Sequence, residues 1–260
     1  MGSIPTPGTR DVLTVQRNVP APPSLDFKIA FLRELIGEFG SQPIRVLDFG
    51  CGTAKDWPSI LCAYPSVTYT GIEPDDRSRD TARDLLRGLS ATVIAGWGEA
   101  ASTQGGFDLT LSLSVLEHVK YLDKFLRASV HATRPGGTIV HRYDLGHALY
   151  PVSSYERWLV TLSRRVPWLV PASLFTSFVE PQHVIDVLGS LGVSDLRAPY
   201  AQMYSLKQAM NHVSRISGAQ ELSERLLALD RDIAATLRPR MSDSQMAHLF
   251  PSVTVRGIRS

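Results

Sequence analysis

Hydrophobic and polar positions alternate along this chain with two different periods. Between residues 25 and 40 the apolar side chains recur at helical spacing, and Gly40 supplies a C-terminal cap. After Gly40, short apolar runs alternate with amphipathic stretches, and this pattern predicts strands separated by helices. The predicted strands are Ile44–Phe49, Val67–Ile72, Thr92–Ala95, Phe107–Leu113 and Gly137–Tyr143. The predicted helices between them cover residues 56–63, 76–89 and 119–133.

This alternation predicts an α/β fold with a doubly wound, mostly parallel, seven-stranded sheet that carries helices on both faces. A helix from Pro181 to Leu191 and a strand from Gly192 to Leu196 continue the pattern, and residues 252–258 form the last predicted strand. In such sheets ligands bind at the carboxyl ends of the strands, beside the first strand of the fold. We therefore expect the functional site at that edge.

The chain divides into an arm and one domain. Residues 1–24 are rich in Pro, Gly, Ser and Thr, which predicts a flexible N-terminal arm, and residues 25–260 are predicted to form a single domain. Two stretches depart from the strand–helix alternation. Residues 145–176 combine aromatic side chains with prolines, and residues 203–250 are helical throughout. We interpret both as insertions that cover the ligand end of the sheet and bind the substrate.

Composition excludes several functional classes. The chain has 260 residues, of which 43% are apolar, enough for a substantial core. Its 27 basic and 25 acidic side chains are intermixed, so no general affinity for nucleic acid is predicted. The two cysteines have no zinc-binding spacing, which favours a reducing cytoplasm. No leader-like segment and no apolar run of about 18 residues occurs, so we expect a soluble protein without stable membrane insertion.

The stretch DFGCGTA, residues 48–54, places two glycines directly after the first predicted strand. Gly50 and Gly52 permit positive φ angles and a close approach of the backbone to a ligand, and the following helix offers free N–H groups. A nucleotide fits such a turn. The NAD fingerprint is incomplete, because Lys55 occupies the position of its third glycine, and a phosphate-binding P-loop sequence is absent.

Several motifs in chain order resemble the class I (Rossmann-like) S-adenosylmethionine-dependent methyltransferases. The glycine turn is followed by GIEP at residues 71–74, FDLTLSLSVLEHV at 107–119 and RPGGTIV at 134–140. The resemblance covers about residues 25–198. It implies a methyltransferase that uses S-adenosylmethionine and releases S-adenosylhomocysteine.

The resemblance also implies a set of cofactor-binding residues. Glu73 follows Gly52 by 21 positions at a strand end, where its carboxylate would accept hydrogens from the ribose hydroxyls. Asp48 would hold the methionyl part, or else only stabilise the turn. The full predicted set is Asp48, Gly50, Cys51, Gly52, Glu73, Pro74, Trp97, Gly98, Glu99, Ser112 and Leu113.

The adenine region departs from the family pattern. Many relatives carry an acidic residue where this chain has Trp97. The indole would either stack on adenine or pack in the core, and Glu99 would supply an acid two residues later.

A hydroxyl acceptor needs a base near the methyl group. Our first candidate is His147, in the loop after the fifth strand, followed by His118 and His141. Strand alternation sends His141 and Tyr143 to one face of the sheet and Arg142 and Asp144 to the other, so the polar residues of this strand cannot all line one pocket. Some relatives hold a divalent metal through two acids and a histidine of a related EVLEHV stretch, but Ser114 replaces the first acid here, so we predict no metal.

The acceptor is predicted only by class. Aromatic and arginine side chains in residues 150–168 suit sugars, aromatic metabolites, phosphorylated carriers or lipid-linked molecules, unless this segment packs on the domain or on a second subunit of a homodimer. We expect O-methylation of a small molecule or glycan in bacterial secondary-metabolite or surface-glycan biosynthesis. Methylation of nitrogen or carbon, a nucleic-acid methyltransferase and a non-catalytic cofactor-binding protein are the alternatives.

Overall fold

The structure is a computed structural model of the chain, and it describes residues 27–97, 105–151, 153–213, 216 and 219–260. Eight strands form one sheet: β1 (Ile44–Phe49), β2 (Val67–Glu73), β3 (Ala91–Ala95), β4 (Phe107–Leu113), β5 (Thr133–Asp144), β6 (Val193–Arg197), β7 (Tyr200–Ala201) and β8 (Ser252–Arg259). Their order is β3-β2-β1-β4-β5-β8-β6, and β7 pairs with β8.

The first five strands of the chain are parallel, and β8 runs antiparallel to its neighbours β5, β6 and β7. This arrangement confirms the predicted doubly wound, mostly parallel sheet of seven strands. The two-residue strand β7 was not predicted, because so short a segment shows no hydrophobic period.

Ten α-helices are described: α1 (Phe27–Gly37), α2 (Trp57–Ala63), α3 (Asp76–Leu85), α4 (Leu122–Ala132), α5 (Gly146–Leu149), α6 (Ser154–Arg165), α7 (Pro181–Ser190), α8 (Tyr204–Val213), α9 (Gln220–Leu237) and α10 (Asp243–Leu249). None of the helices in the described ranges is long and apolar enough to cross a membrane.

Side chains of β1 alternate between two cores. Val46 packs with α1, α2 and α3 on one face, whereas Leu47 and Phe49 pack with α4 on the other. Asp48 therefore points toward the face that α2 covers. This alternation fixes which polar side chains at the strand ends reach a common cavity.

The predicted insertions occupy two places. The first contains α5, α6 and the 3₁₀ turns Pro167–Leu169 and Ala172–Leu174, and it contacts the segment that follows β4. The second contains α8, α9 and α10. Met210 of α8 and Leu227 of α9 belong to the core on the α1 side, and Lys207 of α8 pairs with Asp144 at the end of β5, so the second insertion contacts both a face of the sheet and its ligand end. The predicted arm lies outside the described residues.

Candidate functional site

The glycine turn connects β1 to α2 and lies against the end of β2. Gly50 and Gly52 have φ angles of +69° and +56°, as the sequence predicted. The backbone N–H groups of Gly50 and Cys51 both donate to the carbonyl oxygen of Ile72, at 2.8 and 3.1 Å. These bonds hold the turn in place and leave its outer surface to a ligand.

The two glycines differ in what surrounds them. A Cβ atom on Gly50 would lie 2.8 Å from Val115 Cγ2, so only glycine allows Val115 to pack against the turn. A Cβ atom on Gly52 would meet nothing within 4 Å. The backbone at Gly52 thus borders open space that a ligand can fill.

Asp48 is a buried carboxyl group with an incomplete set of partners. Its Oδ2 atom accepts hydrogen bonds from Trp57 Nε1 at 2.8 Å and from the Tyr69 hydroxyl at 3.1 Å. Its Oδ1 atom is buried without a hydrogen-bond partner. Burial raises the pKa of Asp48 to about 7, although both hydrogen bonds act in the opposite direction. A cation placed at Oδ1 would compensate for this burial.

Glu73 joins the end of β2 to the glycine turn. Its Oε2 atom accepts a hydrogen bond from Gly52 N at 2.8 Å, and its Oε1 atom accepts one from Asp75 N at 2.9 Å. Each carboxylate oxygen has a second lone pair for a ligand hydroxyl. The carboxylate is therefore oriented before any ligand binds, an anchoring role that the sequence did not predict.

Two cavities meet at Gly50 and together form a groove of mixed polarity. A polar cavity of about 270 Å³ is lined by Lys28, Asp48, Gly50, Cys51, Gly52, Lys55 and Leu113 among others. An apolar cavity of about 360 Å³ is lined by Phe49, Gly50, Ile72, Pro74, Trp97 and Val115 among others. The groove thus offers charged groups at one end and aromatic and aliphatic groups at the other.

Trp97 belongs to the groove and not to the core. Its side chain is 57% exposed and lines the apolar cavity. Core packing, one of the two expectations for this residue, is therefore wrong. The predicted contacts Gly98 and Glu99 lie outside the described residues.

His141 is not a candidate base. The ring is completely buried, and its Nδ1 and Nε2 atoms lie 2.9 Å from Ser112 Oγ and 3.1 Å from Ser129 Oγ. Burial lowers the pKa of His141 to about 3, which keeps the ring neutral. The alternation predicted for β5 is correct, and it places this histidine beneath α4. The side chain of Ser112 likewise points into the covered face, and only its backbone stays available for the predicted cofactor contact.

The structure brings the other two candidate histidines together. The ring centroids of His118 and His147 are 5.6 Å apart, at the carboxyl ends of β4 and β5. His118 Nδ1 lies 3.2 Å from the carbonyl oxygen of Phe175, which only accepts, and 3.3 Å from Thr176 Oγ1, which can accept or donate. A proton on Nδ1 satisfies both contacts and leaves Nε2 as the basic nitrogen. Desolvation lowers the pKa of His118, and the neighbouring His147 adds to this effect.

Glu117 lies beside the two histidines. It is 1% exposed, its Oε1 atom accepts from Asp144 N at 3.3 Å, and its Oε2 atom has no partner. Burial raises the pKa of Glu117 to about 7. One ligand atom from each of Glu117, His118 and His147 lies within 4.8 Å of the others, a spacing that could hold a metal ion. The sequence did not place His147 in this group, and the absence of a metal stays a prediction.

Three lysines at the site were not predicted to bind anything. Lys28 of α1 and Lys55 line the polar cavity, and Lys207 of α8 forms an ion pair with Asp144 at the end of β5. A small cavity of about 140 Å³ lies between these lysines and the end of β4. Their signal in the sequence is weak, because each stands in a different predicted helix or loop and belongs to no motif.

A sequence profile described as a methyltransferase domain matches residues 25–187, more than half of the chain. The chain belongs to this family. It is a class I S-adenosylmethionine-dependent methyltransferase with a Rossmann-like sheet, as the motifs predicted.

The methyltransferase also matches curated relatives over part of their length. It is 30% identical to a ubiquinone biosynthesis O-methyltransferase of Sinorhizobium medicae over 126 residues, 42% of this chain and 48% of that protein. It is 28% identical to the ajmaline N-methyltransferase of Rauvolfia serpentina over 154 residues, 54% of this chain and 52% of the relative. The chain thus spans about half the length of the curated relatives it matches.

A solved structure shares the fold. A SAM-dependent methyltransferase from Archaeoglobus fulgidus superposes with a TM-score of 0.55 at 15% identity, covering 89% of this chain and 93% of that chain. At this identity the similarity supports the fold alone.

S-adenosylmethionine is the cofactor of this family, and the residues present fit it. The cofactor has an aromatic nucleoside at one end and a charged amino acid at the other. The apolar cavity of the groove suits the nucleoside, and the polar cavity suits the amino acid. The unpartnered, buried Oδ1 atom of Asp48 would suit an ammonium group, and Gly52 leaves space beside its backbone.

Proposed function

We propose that this methyltransferase transfers a methyl group to a hydroxyl oxygen of a small molecule or glycan, with the His118–His147 pair as the base. The observation that carries the proposal is the approach of these two histidines at the ends of β4 and β5, the edge of the sheet at which Leu113 and Val119 line the groove that fits the cofactor. Both were predicted separately from sequence, and their side chains are exposed enough to receive a substrate.

The cofactor would bind along the groove. Asp48 would hold the ammonium group of the methionyl part, and the turn from Gly50 to Gly52 would lie against it. Glu73 would accept hydrogens from the ribose hydroxyls with its remaining lone pairs. Trp97 and Pro74 would contact adenine in the apolar cavity.

Bound S-adenosylmethionine supplies a methyl group on a positively charged sulfur, which becomes a neutral thioether when the methyl group leaves. The acceptor hydroxyl must lose its proton as its oxygen forms the new bond. The basic Nε2 atom of His118 is suited to accept that proton, because Nδ1 is held by the Phe175 carbonyl. His147 would either accept the proton itself or orient the hydroxyl toward His118.

The relatives support a small-molecule acceptor but differ in the atom methylated. One is named as an O-methyltransferase of ubiquinone biosynthesis and another as an N-methyltransferase of ajmaline. The nitrogen of a neutral amine is nucleophilic enough to attack without a base, whereas a hydroxyl oxygen is a weak nucleophile until its proton is removed. The histidine pair therefore favours oxygen. The bacterial pathway and a cytoplasmic location stay predictions.

A second mechanism for the same reaction uses the same side chains. Glu117, His118 and His147 could bind a divalent cation, which would lower the pKa of a coordinated hydroxyl. The unpartnered Oε2 atom of Glu117 favours this alternative. Turnover in the presence of EDTA decides between the two, because only a metal-bound site loses activity and regains it with added Mg²⁺, Mn²⁺ or Zn²⁺.

The proposal is tested in two steps. Isothermal titration with S-adenosylmethionine, S-adenosylhomocysteine and NAD should show binding of the first two only. A library of phenols, sugars and amines should then be screened by mass for the gain of one methylene. Products on hydroxyl acceptors support the proposal, products on amines alone contradict O-methylation, and the lack of any product favours a non-catalytic cofactor-binding protein.

A further inference from the structure

Residues 153–178, which we call the aromatic cap, expose large apolar side chains at a higher density than the rest of the described chain. Thirteen large hydrophobic side chains of the described residues are exposed, and six of them lie in this cap. Their exposed fractions run from 42% to 70%: Tyr155, Trp158, Trp168, Leu169, Leu174 and Phe178. Exposed apolar side chains concentrated in this way mark an interaction surface.

The helix α6 of the cap has a buried side and a basic outer side. Ser163 is its only buried residue. At about 100° per residue, Arg157, Arg164, Arg165 and Trp158 fall within an arc of roughly 120° on the side of the helix away from Ser163. The helix therefore presents three positive charges together with an indole to the solvent.

No opposing charge within the cap neutralises this face. Glu156 is its only acidic residue before Glu180, and the Glu156 carboxylate accepts a hydrogen bond from Ser153 N at 3.3 Å in a capping box. None of the ion pairs among the described residues involves Arg157, Arg164 or Arg165. A partner of complementary charge must therefore be anionic.

Trp168 and Leu169 follow the helix in a 3₁₀ turn and are the most exposed large hydrophobic residues of the described chain, at 70% and 69%. Tryptophan prefers the boundary between water and lipid, where arginine pairs with lipid phosphates while its stem contacts acyl chains. An adjacent Trp and Leu flanked by arginines match an interfacial membrane surface.

We infer that the aromatic cap docks reversibly on an anionic lipid bilayer, with Trp168 and Leu169 inserted at the headgroup level and the three arginines of α6 paired with lipid phosphates. The cap also borders the site, because Ala172 lines the apolar cavity and Lys120 Nζ donates to the Val170 carbonyl oxygen at 3.0 Å. Docking would thus occur beside the groove and requires no membrane-spanning helix.

The test is sedimentation of the full chain with vesicles of phosphatidylcholine, with and without 30% phosphatidylglycerol, at low and high salt. We expect binding to the anionic vesicles only, and weaker binding at high salt. An Arg157→Ala/Arg164→Ala/Arg165→Ala variant should bind about 100-fold more weakly, at roughly fivefold for each arginine. A Trp168→Ala/Leu169→Ala variant should lose at least about tenfold.

Matched control variants lose exposed arginine or apolar side chains outside the aromatic cap. An Arg77→Ala/Arg87→Ala/Arg127→Ala variant loses three exposed arginines outside the cap, and Leu222→Ala/Leu229→Ala removes exposed apolar side chains of α9. Both should bind vesicles as the parent does. Equal binding to neutral vesicles, no binding by the parent, or an equal loss in the controls would overturn the inference.

Light scattering over a concentration series tests whether a second copy of the chain, and not a bilayer, covers the aromatic cap. A dimer that Trp168→Ala/Leu169→Ala converts to a monomer would also overturn the inference. A failure of the proposed function can be told apart from a failure of membrane docking. The cap variants should titrate S-adenosylmethionine like the parent, and a chain that binds vesicles but methylates nothing would contradict only the proposed reaction.

Discussion

The cofactor side and the acceptor side of this methyltransferase are built in different ways. On the cofactor side, Asp48 and Glu73 are buried and held by hydrogen bonds from neighbouring strands and turns. On the acceptor side, His118 and His147 are exposed and lie beside the aromatic cap, whose tryptophans face solvent. The first region is built from the strands and turns of the sheet, whereas the second combines His118, which follows β4, with His147 of the first insertion.

The difference indicates how specificity is divided. A buried, preoriented site binds one ligand that all reactions of the family share, and its residues stand in recognisable motifs. The exposed side, by contrast, would be where relatives with different acceptors differ, because the residues of the aromatic cap follow no common motif. Replacements on the two sides should therefore change different measurements, and the following predictions test that separation.

The largest effect is expected on the acceptor side. Replacing His147 with Ala should lower turnover by about 10² to 10⁴, the usual contribution of a positioned acid or base, while the dissociation constant of S-adenosylmethionine stays within a few-fold. Single-turnover rates and calorimetry on the same preparation measure the two quantities. His118→Ala should behave alike. If both variants keep full turnover with the true acceptor, catalysis by histidine is excluded, leaving an acceptor that needs only alignment.

The dependence of turnover on pH is a second test of a histidine base. The pKa of His118 is lowered, so its neutral form persists to a lower pH than an unperturbed histidine with a pKa of about 6.5. Turnover at saturating cofactor should therefore stay constant above that value and fall only at lower pH. A rate that rises on acidification would contradict a neutral imidazole base.

A loss of at least about 100-fold in cofactor affinity is expected for Gly50→Val. The backbone at this position has a φ of +69°, which is strained for a residue with a β-branched side chain. The new Cβ atom would also lie 2.8 Å from Val115. Gly88→Val is the matched control, because Gly88 has φ of +81° but nothing within 4 Å of a Cβ atom. Calorimetry should show parent-like affinity for the control, and equal losses in both would mean that backbone strain alone acts.

The sequence predicted the conformation of the glycine turn and the faces of β5 because short-range rules govern both. The glycines predicted the turn, and alternation along β5 predicted that His141 and Tyr143 share a face. The sequence could not show that this face lies beneath α4, so His141 remained a candidate base. The approach of His118 to His147 depends on how the insertion folds back, and no spacing in the chain encodes that distance.

Glu73→Ala should weaken cofactor binding by about 1.5–3 kcal/mol, the range for hydrogen bonds to a charged group. Glu73 also anchors Gly52 N, so an indirect loss through the turn must be separated from a lost ribose contact. A ligand without the 2′-hydroxyl, 2′-deoxyadenosylhomocysteine, provides that control in calorimetry. If Glu73 binds the ribose, the penalty of the replacement should shrink for this ligand, whereas an unchanged penalty would assign Glu73 to the turn alone.

Asp48 should make cofactor affinity depend on pH. Burial raises its pKa to about 7, and only the ionised carboxylate attracts the ammonium group. Affinity should therefore fall as pH drops through 7, approaching about tenfold per pH unit below it. Asp48→Asn should remove this dependence and weaken binding of S-adenosylmethionine. Methylthioadenosine lacks the amino acid part, so its affinity should be unchanged by the replacement, and a matching loss would place Asp48 elsewhere.

The smallest loss of cofactor affinity is expected for replacement of Trp97. This residue lies on the cofactor side, but its side chain is exposed, like the histidines of the acceptor side. An indole that stacks on adenine contributes about 0.5–1.5 kcal/mol, so Trp97→Ala should weaken cofactor binding by roughly 2- to 12-fold, and Trp97→Phe should restore most of it. The loss should be the same for S-adenosylmethionine and methylthioadenosine, because both carry adenine. Quenching of Trp97 fluorescence on titration provides an independent signal, with Trp97→Phe as its blank. Unchanged affinity in Trp97→Ala would instead assign the exposed indole to the acceptor, and the boundary between the two sides would then pass through the apolar cavity itself.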